Sequence, residues 1–135
     1  MPGETLVPVE QYPDDFQTIS FSVDPGTGQY VPLFLADRDL LVDKAWVRFE
    51  TANGSALTGN LAKVADGVAT STNTDITTTN EVNFNTAATT KVAMTVSTTE
   101  NLIPAGYLVI LEFNTTAASG LGIVTVQIRV RSRRQ

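Results

Sequence analysis

Residues 102–130 read LIPAGYLVILEFNTTAASGLGIVTVQIRV. In the second half Val124, Val126, Ile128 and Val130 alternate with Thr125, Gln127, Arg129 and Arg131, the two-residue period of a strand with one buried and one wet face. In the first half Tyr107 to Phe113 is apolar on both parities, with Val109, Leu111 and Phe113 on one and Leu108 and Ile110 on the other. Such a strand is covered on both sides, inside a sandwich or under a neighbouring subunit. Asn114 to Gly120, small and polar with a terminal glycine, reads as a hairpin loop between the two. Pro104-Ala105-Gly106 reads as a turn in which proline fixes one dihedral and glycine permits a positive one. Two strands are marginal in water, so the rest of the chain must supply a second sheet. The expectation is a single all-β domain, an antiparallel β-sandwich.

Outward from this stretch the two-residue period recurs. Ile19, Phe21 and Val23 alternate with Thr18, Ser20 and Ser22. Tyr30 to Ala36 is an apolar strand in which Pro32 lacks a ladder donor, which predicts an edge or a bulge. Leu40 to Glu50 has Ala45, Val47 and Phe49 on its core parity. Asn53-Gly54 is a strong tight-hairpin signal, and Ala56 to Ala65, interrupted by Gly59, reads as a weak strand. Residues 67–80, GVATSTNTDITTTN, are too polar to make core alone and read as a surface loop with one short strand near Asp75 to Thr78. Glu81 to Asn85 and Lys91 to Ser97 alternate again. About eight short strands, with turn signals every eight to twelve residues, point to a sandwich of jelly-roll type.

At 135 residues the length prior gives one domain. The chain has no cysteine and no histidine, which removes the usual zinc ligands and the commonest general base near neutral pH. Carboxylate pairs remain, but Asp14-Asp15 and Asp37 with Asp39 lack any orienting residue, so catalysis is not expected and no cofactor is implied. Charged residues make up 17% and the net charge is -5, which disfavours direct nucleic-acid binding, because phosphate neutralisation needs cations. The start, MPGETLVPVEQYPDD, lacks the basic and apolar regions of a secretion signal, and no run approaches a membrane span. Absence of cysteine fits synthesis in a cytoplasm.

The candidate interaction residues come from three places. Residues 1–15 carry three prolines and four acids with no regular period. They read either as a frayed end or as an extended arm docking through Leu6, Val7, Val9 and Tyr12. Trp46 falls on the wet parity between Lys44 and Arg48; it is either a contact residue or a ring covered by those stems, unless a bulge flips the register. Finally, no basic residue precedes Arg38, whereas Arg129, Arg131, Arg133 and Arg134 crowd the end. This cluster either meets an acidic partner or is a solvated tail. Asp24-Pro25-Gly26-Thr27-Gly28 is a turn, since no lysine or helix follows to make a phosphate cradle. Asp37-Arg38-Asp39 reads as an arginine-bridged corner.

The order of landmarks, a strand ending in FLADRDLLVDKAWVRFET, a threonine-rich middle and the closing LIPAGYLVILEFNTTAASGLGIVTVQIRVR, resembles the small jelly-roll decoration proteins of tailed-bacteriophage heads, over Val31 to Arg131. The resemblance implies a cement protein, often trimeric, that sits on the outer capsid surface of the virion. It would bind the major capsid protein and brace neighbouring capsomers, with residues 1–15 as an arm ahead of a jelly-roll domain spanning 16–135. A carbohydrate- or receptor-binding module is the alternative, with Trp46, Tyr12, Tyr30 and Tyr107 as its ring platform; aromatics are only 7% of the chain and do not cluster in sequence.

Overall fold

The computed structural model describes residues 16–23, 29–50, 58–83, 89–114 and 122–130. They form ten strands and no helix: β1 (Phe16–Val23), β2 (Tyr30–Leu35), β3 (Leu40–Phe49), β4 (Thr58–Val64), β5 (Thr74–Asp75), β6 (Val82–Asn83), β7 (Val92–Met94), β8 (Leu102–Ile103), β9 (Leu108–Phe113) and β10 (Gly122–Val130). One antiparallel sheet runs β1-β10-β3-β7, with β8 also on β3; the other runs β2-β9-β4-β5, with β6 also on β4. The short strands share lanes. β7 pairs with Ala45 to Val47 and β8 with Leu40 and Leu41 of β3, while β5 pairs with Ala62 and Lys63 and β6 with Thr58 and Gly59 of β4. Counted as lanes there are eight, in the orders 1-8-3-6 and 2-7-4-5, the interleaved Greek keys of a jelly roll.

This topology corrects two local readings. Residues 115–120 lie outside the described residues, but β9 and β10 are not the two arms of a hairpin, because β9 pairs with β2 and β4 whereas β10 pairs with β1 and β3. The same holds for Asn53-Gly54, which lies outside the described residues but connects β3 and β4 in opposite sheets. Alternating strands look alike whether their connection turns back within a sheet or arches across the roughly 10 Å between sheets.

The core is the inner parity of both sheets. Phe49, Leu61, Ile103, Leu111, Phe113 and Val124 are fully buried there. Residues 40–49 show how sequence makes both faces: Leu40 and Val42 are buried, Asp43 and Lys44 are both exposed, then Ala45, Val47 and Phe49 are buried. The register against β10 shifts between Gln127 and Ile128, where Val42 and Lys44 are successive partners, so Asp43 is the extra residue of a β-bulge. Pro32 meets both expectations, on an edge strand beside a register shift. β9 is buried on both parities as its sequence requires, Val109 and Leu111 inward and Ile110 outward.

Two segments differ from their reading. β4 is paired on both sides and buried from Gly59 to Val64, although Gly59 makes it read as weak. The polar 67–80 stretch contributes fully buried Ile76 to the core. Its backbone also laces the sheets together: Ile76 N donates to Leu61 O at 2.9 Å, while Ser97 N donates to Ile76 O at 2.8 Å and Thr78 N to Thr95 O at 3.1 Å. The opposite long side is closed differently, by Phe21 of β1 stacked on Phe34 of β2 with centroids 5.1 Å apart.

Candidate functional site

The outer face of the β1-β10-β3-β7 sheet holds the sequence-predicted tryptophan. The bulge at Asp43 precedes Trp46 and leaves its register intact, so the indole points outward and is half-buried. Its cross-strand neighbours are Thr125 on β10 and Ala93 on β7. Both are small, which gives a large ring room to lie across the sheet. Thr125 is only 9% exposed although it faces outward, and its hydroxyl lies 3.0 Å from that of Ser20. The cation on the ring is Lys91, with Nζ 4.9 Å from the centroid, within cation–π range; the alternative read from the sequence has the stems of Lys44 and Arg48 cover the ring.

The rows on either side extend the face. Ile123, half exposed, stands between Ser22 and Arg48, and Arg48 pairs with Glu50 at 3.3 Å. On the other side Gln127 faces Lys44, and beyond it Arg129 faces Leu41. Arg129 is thus on the same face as Trp46, two rows or roughly 13 Å away at strand spacing. Lys44, Arg48, Lys91 and Arg129 are four of the six lysines and arginines among the described residues, gathered on one face of a chain with net charge -5. A shallow depression of about 440 Å³ opens beside the ring, bordered by Asp43, Lys44, Lys91 and Gln127.

Leu6, Val7, Val9, Tyr12, Arg131, Arg133 and Arg134 lie outside the described residues. The proposed ring platform is not assembled by the described aromatics. Tyr107 packs against the core, and Tyr30 stands opposite Glu112 in the other sheet. At the acidic corner Arg38 bridges Asp37 alone, at 3.3 Å and exposed, while Asp39 accepts from Ala105 N at 3.0 Å. Among the described residues no group of three or more His, Cys, Asp or Glu comes together to hold a metal ion. Lys91 escaped sequence reading because its role depends on β7 lying beside Trp46, a pairing across 45 residues of chain.

No family model matches the chain, and no curated protein matches it. Its fold is similar to that of a chain in the cyanophage Pam1 capsid asymmetric unit, with a TM-score of 0.56 and 12% identity, over 86% of this chain and 85% of that one.

Proposed function

We propose that this chain is a virion structural protein that decorates a phage head, seating the Trp46 face on the outer capsid surface and bracing neighbouring capsomers. The observation that carries this reading is the outer face of the β1-β10-β3-β7 sheet: a rigid surface with Trp46 near its centre, Ile123 beside it and four cations around them. Amphipathic rings and arginines are the side chains on which protein interfaces concentrate their energy. The likeness of fold to a capsid chain supports the same direction. No chemistry is needed: a protein that binds only the expanded shell stabilises that form by linkage.

Each stable joint needs an interface of about 1,000 Å² or more, so the face is supplemented by the 1–15 arm through Leu6, Val7, Val9 and Tyr12. The arginines after Arg129, namely Arg131, Arg133 and Arg134, add to its charge. Trimerisation multiplies weak contacts by avidity. The test is co-sedimentation of the full chain with expanded, undecorated heads. Binding should weaken at least tenfold in Trp46→Ala and in the Lys44→Glu/Arg48→Glu pair, and should fall with salt, because ionic contacts on an open face are screened. Light scattering should give three times the 14.5 kDa chain mass. Unchanged binding in both variants refutes the face; a monomer on light scattering refutes the trimer.

A further inference from the structure

The opposite side of the sandwich carries a second, chemically different feature. On the β2-β9-β4-β5 sheet, outward-facing Glu112 of β9 and residues Ser71, Asn73, Asp75, Thr79 and Asn80 line an open cleft of about 400 Å³, within the roughly 300–1,000 Å³ of small-molecule sites. Its walls are carboxamides, hydroxyls and carboxyls, with no lysine or arginine among the described residues that line it. Phe113 borders it, but its side chain is fully buried.

Most of these polar groups are held in place by one end and open at the other. Gln29 Nε2 donates to Phe113 O at 3.2 Å, which leaves Oε1 available. Asn114 Oδ1 accepts from Thr58 N at 3.0 Å, which leaves the amide donors. Asn73 Nδ2 donates to Thr70 O at 2.8 Å. Asn80 sits at a positive φ of 55°, a conformation asparagine tolerates. Its backbone N is fixed by the Oδ1 of fully buried Asn60 at 3.1 Å, so its side chain is presented with no partner of its own among the described residues. The same Asn60 donates to Asp75 Oδ1 at 2.9 Å, and Thr79 Oγ1 donates to Asp75 Oδ2. With both oxygens occupied, Asp75 braces the wall. Glu112 lies against Asp75 and Asn73; burial, opposed by the Asn73 hydrogen bond and reinforced by the neighbouring Asp75, raises its pKa above the ordinary glutamate value.

We propose that this cleft binds a neutral saccharide. A ligand that suits it must give and take several hydrogen bonds at once without a formal charge, as sugar hydroxyls do. An anion would find no cation on the walls, and an apolar ligand would strand the carboxamides unpaired. The rotamers held at Gln29, Asn73 and Asn114 limit the side-chain entropy lost on binding. This inference goes beyond the capsid reading and does not rest on it: Trp46 lies on the other sheet.

The experiment applies the full chain to an array of neutral hexose, N-acetylhexosamine and sialylated glycans, with wild type, a Ser71→Ala/Asn80→Gly double variant and Trp46→Ala in parallel. Neither substituted side chain has a partner among the described residues, and glycine keeps the backbone of residue 80 relaxed, so thermal melting should match wild type and separate lost contact from lost fold. The expected result is binding to a subset of neutral glycans, weakened at least tenfold in the double variant and unchanged in Trp46→Ala. Several outcomes overturn the proposal: no neutral glycan bound, preference for sialylated glycans, a signal lost in Trp46→Ala, or full binding by a folded double variant. A signal that requires added calcium and vanishes with EDTA also overturns it, by making the cleft a cation site.

Discussion

Lys63 is a lysine on the inner parity of a sandwich, paired opposite Val109 and only 7% exposed. Its Nζ reaches across to the other sheet, donating to Glu100 O at 2.9 Å and Leu102 O at 2.5 Å, and lies 3.2 Å from Glu100 Oε1. Replacing it with methionine keeps most of the stem and removes the donor. Hydrogen bonds from a charged donor are worth about 1.5–3 kcal/mol each, and a stranded carbonyl costs about 1–3 kcal/mol. The Glu100 carboxylate is half exposed, so its share is below about 1 kcal/mol. Lys63→Met should therefore cost about 3 kcal/mol, and Lys63→Ala about 4–5 kcal/mol because a void is added. Apolar replacement of a buried pair is neutral only when both partners go, and here the carbonyls stay. With a urea m-value of about 2 kcal/mol/M, the unfolding midpoint should fall by roughly 1.5 M in Lys63→Met and by less than about 0.5 M in Glu100→Gln. If Lys63→Met unfolds within about 0.25 M of wild type, or if Glu100→Gln costs as much, the carbonyl clamp is refuted.

Three further outcomes are expected. Glu112 has a raised pKa in the folded chain, chiefly from burial, so its ionisation costs stability once the pH exceeds its unfolded value; Glu112→Gln should raise the urea midpoint at pH 7, and the gain should vanish as the pH falls below about 4.5, the ordinary value. Phe21→Ala removes the ring stack that closes one long side of the sandwich and should cost about 2 kcal/mol, or roughly 6–10 °C in Tm, with amide exchange accelerating first in β1. Gly106 has φ of 90° and open space where a Cβ would go, so Gly106→Ala should cost only the left-handed backbone penalty, about 1 kcal/mol in urea unfolding, and Gly106→Asn less.

The fold class was legible because burial in a sheet writes itself into the sequence with a period of two, as in Val124 to Val130, and double-sided burial writes itself as an unbroken apolar run, as in β9. What stayed hidden was pairing at long range. Alternation at 122–130 and continuity at 108–113 say nothing about whether the two strands share a sheet. Ile76 was misread and Lys63 passed over for a related reason: a lone isoleucine among threonines and a lone lysine in a strand take their meaning from Leu61, Ser97, Glu100 and Leu102, none adjacent in sequence. At the interaction face Trp46 was legible as an anomaly of parity, but the cation over it and the half-exposed Ile123 beside it required β7 and β10 to be set beside β3.

The unequal closure of the two long sides gives the molecule a spine and a fore-edge, like a bound book. On the spine, backbone hydrogen bonds at 76–78 and 95–97 and the Lys63 reach must all break for the sheets to part; at the fore-edge the described residues contribute a pair of stacked rings. Phe16, the first described residue, pairs with Arg129 at the fore-edge. A tug along β1 loads its eight rungs against β10 together, whereas a tug across it peels them one at a time from Phe16. The direction of a pull on β1 thus sets how much force the domain withstands before it opens.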